Sequence, residues 1–303
     1  MNREDPSATR PVGGARSEDD DPLAVSVIVP VFNAEKVLGQ QLDALASQTY
    51  AGVWELIIAD NGSSDGSVAV AERHRSLLPQ LRIVDAAAKR GPSHARNIGA
   101  AEARGNLLLF CDADDVVSSG WVEAMVLAAS TADLMAGSGE ESRAPTRLRT
   151  EAIPEQETPK RFRFLPWNRS SNLGVSRTFF DEVGGFDEGR QIGEDVDFCW
   201  RIQLAGGRFA YVYQAYVAYR DRADWRSALR RQFIFGRAAP QLYADFVSHG
   251  APRPAWRWTL VDLGRLILRA PIELARGEGG RWLQQVAGAL GRIVGMADLR
   301  GQR

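Results

Sequence analysis

The stretch Leu107–Asp115, Leu-Leu-Leu-Phe-Cys-Asp-Ala-Asp-Asp, constrains the fold of this chain more than any other. An apolar run of strand length stops abruptly at three carboxylates. A continuous apolar run, unlike an alternating one, reads as a strand buried on both faces, as in a parallel sheet with helices above and below. Acids at its C-terminal end then stand where open α/β sheets keep their ligands. Asp112 and Asp114 are two residues apart, so on an extended backbone they point the same way. Two convergent oxygen donors suit a hard divalent ion that keeps other positions for phosphate oxygens. A solvated acidic turn satisfies the same letters.

The segments before this run repeat its pattern. Val25–Phe32, Trp54–Ala59 and Leu81–Val84 are apolar and β-branched enough for buried strands. Between them, helices are expected from Glu35 to Ser47, with Leu38, Leu42 and Leu45 at core spacing, and from Ser67 onward behind a capping Asp65. A third opens at Gly91-Pro92-Ser93, with Ser93 as the expected N-cap and Ala95 and Gly99 permitting close packing; a fourth covers Val122–Ala129. This alternation predicts an α/β fold, a doubly wound and mostly parallel sheet with flanking helices. Right-handed crossovers would bring the loops at Asp60 and Asp112 to one sheet edge.

Regularity fades afterwards. From Gly137 to Ser171 the periodicity is lost, and Arg143, Arg147, Arg149, Lys160, Arg161 and Arg163 suit either an anionic substrate or a solvated loop. Asn172–Ser176 reads as a short strand and Phe179–Phe186 as a helix closed by Gly184-Gly185. Another helix opens at Gly193-Glu194-Asp195 and ends at Gly206-Gly207, followed by strand-like Phe209–Tyr219 and a helical stretch with Arg230, Arg231, Phe233 and Phe235. Beyond Pro252, Trp256, Trp258, Trp282 and the run Thr259–Leu268 form a helical C-terminal extension. Trp and Arg beside leucines suit a helix lying at a membrane interface, and equally a helix packed on the main domain or on a second copy. The expected division is a disordered tail over 1–22, a catalytic domain over 23–237 with halves 23–136 and 137–237, and the extension over 238–303.

Bulk composition excludes some classes. Lys plus Arg (37) nearly cancels Asp plus Glu (38), so no global basic field exists to attract nucleic acid. The two cysteines, Cys111 and Cys199, each sit in an apolar segment and read as buried free thiols of a reducing compartment. No basic-then-apolar leader and no apolar run of about 18 residues is present. The expectation is a cytoplasmic chain, at most peripheral at the inner face of a membrane.

With these segments placed, the sequence resembles glycosyltransferase family 2, with its GT-A fold. The resemblance rests on five motifs in order: Pro30-Val31-Phe32-Asn33-Ala34-Glu35; Ile58 to Ser67; Gly91 to Gly99 with its Ala-Arg-Asn core; the DXD-type Asp112-Ala113-Asp114-Asp115; and Gly193-Glu194-Asp195. The Val183–Asp187 segment before the last is also typical of the family. Together they cover Val25 to Arg237. The resemblance implies a nucleotide-sugar donor, UDP- or GDP-linked, transferred to a hydroxyl acceptor with inversion. Pro30, Phe32, Glu35, Asp60, Arg96 and Asp112 would contact the donor, Asp60 at the base and Asp112 at the ribose. Asp114 would bind Mg²⁺ or Mn²⁺ with the diphosphate, Asp195 would be the catalytic base, and Asn61 and Glu194 would support these groups. Asp115 carries no assigned role.

One departure from the family pattern stands out. Relatives often place a metal-binding histidine after the strand that follows the Glu-Asp helix, where this chain has Ala218. Asp221 could substitute as a ligand, or Arg220 or Arg222 could neutralise the leaving diphosphate directly. The alternative is a catalytically impaired nucleotide-sugar-binding or assembly protein on the same fold. A P-loop NTPase is excluded, because no G-x-x-x-x-G-K-[ST] occurs.

Overall fold

A computed structural model describes residues 25–78, 80–142, 164–220 and 225–301. The expected N-terminal tail, the basic residues Arg143 to Arg163, and Asp221 and Arg222 lie outside the described residues. The first half alternates as the sequence predicts: β1 (Val25–Val31), α1 (Leu38–Ala46), β2 (Trp54–Asp60), α2 (Ser67–Arg73), β3 (Leu81–Asp85), α3 (Pro92–Glu102) and β4 (Leu107–Cys111). There follow β5 (Val116–Val117), α4 (Trp121–Ala129), β6 (Leu134–Ser142), β7 (Asn172–Ser176), α5 (Arg177–Glu182), α6 (Glu194–Leu204) and β8 (Phe209–Arg220). Three long helices close the chain: α7 (Trp225–Asp245), α8 (Trp256–Ala275) and α9 (Gly279–Gly301).

The strands form one sheet in the order β3-β2-β1-β4-β7-β6-β8-β5. Strands β3, β2, β1 and β4 pair in parallel; β7 is antiparallel to both β4 and β6, while β8 is parallel to β6. Both faces are covered, which explains the unbroken apolar run. Val27, Val29 and Leu109 face a core shared with Leu38, Leu42 and Trp121. Their neighbours Ile28, Leu108 and Phe110 face the other side, against Phe180, Phe186, Phe198 and Trp200.

Several elements differ from the sequence expectation. Gly91, at φ 134°, takes the N-cap position of α3 with Pro92 in the first turn, so Ser93 lies inside the helix. Pro is pre-organised there and loses no hydrogen bond. Strand β6 runs on through Ser142, where the periodicity fades from Gly137 onward. Its glycines are sterically required: a Cβ on Gly137 would lie 2.1 Å from Asn172 Oδ1, and one on Gly139 2.3 Å from Val217 O. Low strand propensity hides the element. The divisions expected at 136/137 and 237/238 fall inside β6 and α7, respectively.

Aromatic packing fixes how the second half meets the first. Phe186 meets Phe110 of β4 edge-on at 5.3 Å between centroids and stacks on Phe198 of α6 at 4.1 Å. Arg201 then clamps the glycine turn, donating from Nη1 to Val183 O at 2.7 Å and from Nη2 to Gly185 O at 2.8 Å. The start of α6 is therefore held against the end of β4.

Candidate functional site

Parallel strands end together at one edge. β1 delivers Pro30 and Phe32 there, β2 delivers Asn61, and β4 delivers the acid loop Asp112–Asp115. The start of α6 stands across from them. A cavity of about 730 Å³ lies between, and its wall holds Pro30, Phe32, Asn61, Arg96, Asp112, Asp114, Glu194, Asp195 and Arg220 of the expected site residues. Glu35 and Asp60 stand behind that wall. Glu35 Oε2 accepts from Gly66 N at 3.1 Å, and Asp60 Oδ1 accepts from Ser63 N at 3.2 Å, so both carboxylates shape the loop after β2. The N-cap of α2 is Gly66, so Asp65 lies one position outside the expected cap; its Oδ1 accepts from Ser67 N at 3.0 Å in a turn that leads into the helix.

Asn61 is a tie between loops. Its amide donates to Ala86 O and to Lys89 O, and its oxygen accepts from Gly91 N at 2.9 Å. Phe32 is half exposed, with the Arg90 guanidinium 4.2 Å from its ring centre. Arg96 is 3% exposed, donates from Nη2 to Asp112 Oδ1 at 2.6 Å and lies over the Phe186 ring. Its Nε and Nη1 are buried without a hydrogen-bond partner, and the residue lines the cavity. Buried donors without a partner are rare in folded proteins, and each calls for an explanation.

The acid loop holds more than the expected pair. Asp112, Asp114 and Asp115 each offer an oxygen within 4.8 Å of the others. Asp115, given no role from sequence, is the buried member. Desolvation, then the charges of Asp112 and Asp114, push its pKa up to about 8. Arg220 organises this loop instead of standing free: its backbone N–H donates to Asp115 Oδ1 at 3.1 Å and its Nε to Asp114 O at 3.0 Å. Ala218 is buried and pairs with Val116 across β5 and β8, one strand position from Tyr219 of the cavity wall.

Asp195 sits in the first turn of α6 behind Gly193, which takes φ 79°. It is 8% exposed, and its Oδ1 accepts from Val196 N at 2.8 Å. Burial first, then the neighbouring Glu194 carboxylate, raise its pKa to about 7, against the pull of the helix amide and Arg96. Glu194 is raised as well, chiefly by burial. Sequence reasoning missed the far wall, formed by Trp167 and Arg169 before β7, by Ala228, Arg231, Gln232 and Phe235 of α7, and by Gln284 of α9. The α7 residues recur at i, i+3, i+4 and i+7, a one-face spacing that was legible in the sequence.

Known proteins share this fold. The sequence model described as Glycosyl transferase family 2 matches residues 26–183. Glycosyltransferase AglE of Haloferax volcanii is 26% identical over 225 residues, covering 72% of this chain and 74% of its own. A pre-mycofactocin glycosyltransferase of Mycobacterium tuberculosis is 26% identical over 280 residues, 85% of this chain and 56% of its own. The chain thus spans little more than half of that relative. Among solved structures, the mannosyltransferase PcManGT from Pyrobaculum calidifontis, in complex with GDP-Man and Mn²⁺, superposes with a TM-score of 0.66 at 19% identity, over 95% of this chain and 91% of its own. S. aureus TarS 1-349 in complex with UDP-GlcNAc gives a TM-score of 0.56 at 17% identity, over 92% of each chain. With a family match across over half of its length and a fold shared with solved GT-A enzymes, the chain belongs to glycosyltransferase family 2 and is a glycosyltransferase.

Proposed function

We propose that this glycosyltransferase moves a sugar from a nucleoside diphosphate donor to an acceptor hydroxyl with inversion, using Asp195 as general base. One observation carries the reading: a single cavity has the acid loop and Arg96, with its buried unpaired donors, on one side and a buried carboxylate at a helix start on the other. The solved relatives' ligands, GDP-Man and UDP-GlcNAc, favour a GDP- or UDP-linked donor.

The acid loop fits Mg²⁺ or Mn²⁺. Its three mutually close carboxylates repel one another, and hard oxygen donors of this kind are what such ions take. Asp114 would hold the ion, with Asp112 and Asp115 beside it. When bound, the ion neutralises charge on the departing diphosphate. Asp112, oriented by Arg96, is free on its second oxygen to accept from a ribose hydroxyl. Arg96 supplies further N–H donors to anionic oxygens. The Phe32 ring, backed by Arg90, offers a flat surface to the donor.

Asp195 takes the proton of the acceptor hydroxyl as its oxygen bonds to the anomeric carbon. The bond from that carbon to the diphosphate breaks, and the electron pair leaves with the phosphate oxygen. Attack from the face opposite the leaving group inverts the centre. A carboxylate with its pKa raised toward neutrality is a stronger base than an ordinary aspartate, which suits this step.

The test is transfer and donor hydrolysis, screened across nucleotide sugars with and without Mn²⁺, for the unmodified chain, Asp195→Asn and Asp114→Asn. Full transfer activity in Asp195→Asn would sink the base assignment. Donor affinity in Asp114→Asn with unchanged metal dependence would sink the metal assignment.

A further inference from the structure

Helix α8 presents two unlike faces. Thr259 and Leu266 are buried, and Trp282 Nε1 of α9 donates to Leu266 O at 2.8 Å. On the other side Leu260, Val261, Ile267, Leu268, Ile272 and Leu274 are exposed, Leu268 at 78%. At 3.6 residues per turn these six fall within an arc of about 160°. A contiguous exposed apolar face of this kind marks a surface that meets something other than water.

The charges on the helix say what. Its exposed charged side chains are Arg257, Arg265 and Arg269, and exposed Arg276 follows at the C-cap. Both acids of the helix, Asp262 and Glu273, are half-buried, and Asp262 is paired with Arg292 at 3.5 Å. At helical spacing Arg265, Arg269 and Arg276 line one margin of the apolar arc. The chain as a whole has a net charge of −1, so this positive strip is local. A leucine-rich face with an arginine margin matches the boundary between acyl chains and anionic headgroups, where the apolar side chains sink and the guanidinium groups stay with the phosphates. Antiparallel packing of α8 on the α8 of a two-fold copy would set one arginine strip near the other, at a cost in repulsion. No helix among the described residues is long and apolar enough to cross a membrane, and α8 contains Pro271, so an in-plane position is the one its pattern supports.

We propose that α8 docks this chain on an anionic membrane surface, lying in the plane with Leu260, Ile267, Leu268 and Ile272 inserted and Arg265 and Arg269 against lipid phosphates. Helix α9 joins that surface to the cavity, because it bonds α8 through Trp282 and lines the cavity through Gln284.

The experiment is flotation of the full chain with vesicles of neutral phosphatidylcholine alone or with added anionic phosphatidylglycerol, at low and high salt. The expected result is flotation with the anionic vesicles that weakens as salt rises. Leu268→Glu with Ile272→Glu should bring it to background. Arg265→Ala and Arg269→Ala should each weaken it about fivefold, from the usual contribution of one basic residue near such a surface. Quenching of tryptophan fluorescence by brominated anionic lipid, measured on the unmodified chain, supplies a readout that needs no variant; Trp256 lies on α8. Absence of both flotation and quenching overturns the proposal. So does flotation that the double glutamate variant leaves intact. A stable dimer in solution that the same variant splits, without vesicle binding, assigns the face to a second copy and also overturns it.

Discussion

Arg96 Nη2 stands 2.6 Å from Asp112 Oδ1, joining helix α3 to the acid loop at the end of β4. The contact orients Asp112 and leaves Nε and Nη1 of Arg96 buried with no partner of their own. Such a donor is expected to do its work on the ligand. Arg96→Met should weaken donor binding about 10- to 100-fold, since a hydrogen bond to a charged group contributes about 1.5–3 kcal/mol. Arg96→Lys should recover little, because an ammonium lacks the planar fork. Titration calorimetry with UDP and GDP measures it; unchanged affinity in Arg96→Met would remove Arg96 from the donor site.

The Phe110–Phe186–Phe198 stack couples the acid loop to the start of α6. Phe198 lies one helical turn beyond Asp195 and is fully buried. Phe198→Ala should therefore lower stability by about 3–5 kcal/mol, through lost burial and the cavity left behind. Phe198→Leu should lose less stability yet still reduce turnover by letting Asp195 shift. Urea denaturation and kcat, measured on both variants, separate the two effects. Normal kcat in a folded Phe198→Leu would show that the stack serves stability alone.

Helices α7 and α9 touch backbone to backbone through glycine. A Cβ on Gly291 would lie 2.0 Å from Phe233 O, one on Gly295 2.1 Å from Arg237 O, and one on Gly236 2.1 Å from Gly288 O. None of these atoms is a flexible side-chain end, so the helices must separate. Gly291→Ala should destabilise by at least the ~1–3 kcal/mol typical of overpacking and should also displace Gln232 and Phe235 from the cavity wall. Gly264 of α8 meets nothing within 4 Å, and Gly264→Ala should instead gain about 0.5–1 kcal/mol of helix stability. Thermal unfolding of the two variants should move in opposite directions.

Much of this arrangement is legible in the sequence, for physical reasons that differ by residue. The unbroken run Leu107–Cys111 announces burial on both faces, and the sheet order brings Asp112 beside the end of β1 as right-handed crossovers require. Asp115 was opaque. Its carboxylate joins the cluster because β5 turns back to pair with β8 and Arg220 N holds its oxygen, and a long-range backbone bond leaves no mark on local spacing. Strand β6 was hidden by Gly137 and Gly139, which are there for close approach and not for strand propensity. The α7 wall carried its signal at i, i+3, i+4 and i+7, but nothing in a single sequence tells which cavity a helix face will meet.

Asp195 gives a prediction in which activity and stability run against each other. Its folded pKa is raised to about 7, mainly by burial and then by Glu194, against an ordinary value of 3.8. The folded chain therefore binds a proton more tightly here than the unfolded chain does. Stability contributed by this group falls as pH rises from about 4 to about 7, because ionisation without solvent is the unfavourable state. The base role proposed for Asp195 requires its ionised form, so kcat/KM should climb over the same window and level off above it. Asp195→Asn should abolish the rise and leave only residual turnover. It should also be more stable than the unmodified chain at pH 8, and should lose most of that advantage by pH 4, where the folded aspartate is protonated and burial no longer opposes its charge. Measuring kcat/KM from pH 5 to 9 and urea midpoints from pH 4 to 9 on both proteins tests the pair together. A stability advantage for Asp195→Asn that persists unchanged at low pH would mean that packing, and not the proton, accounts for it.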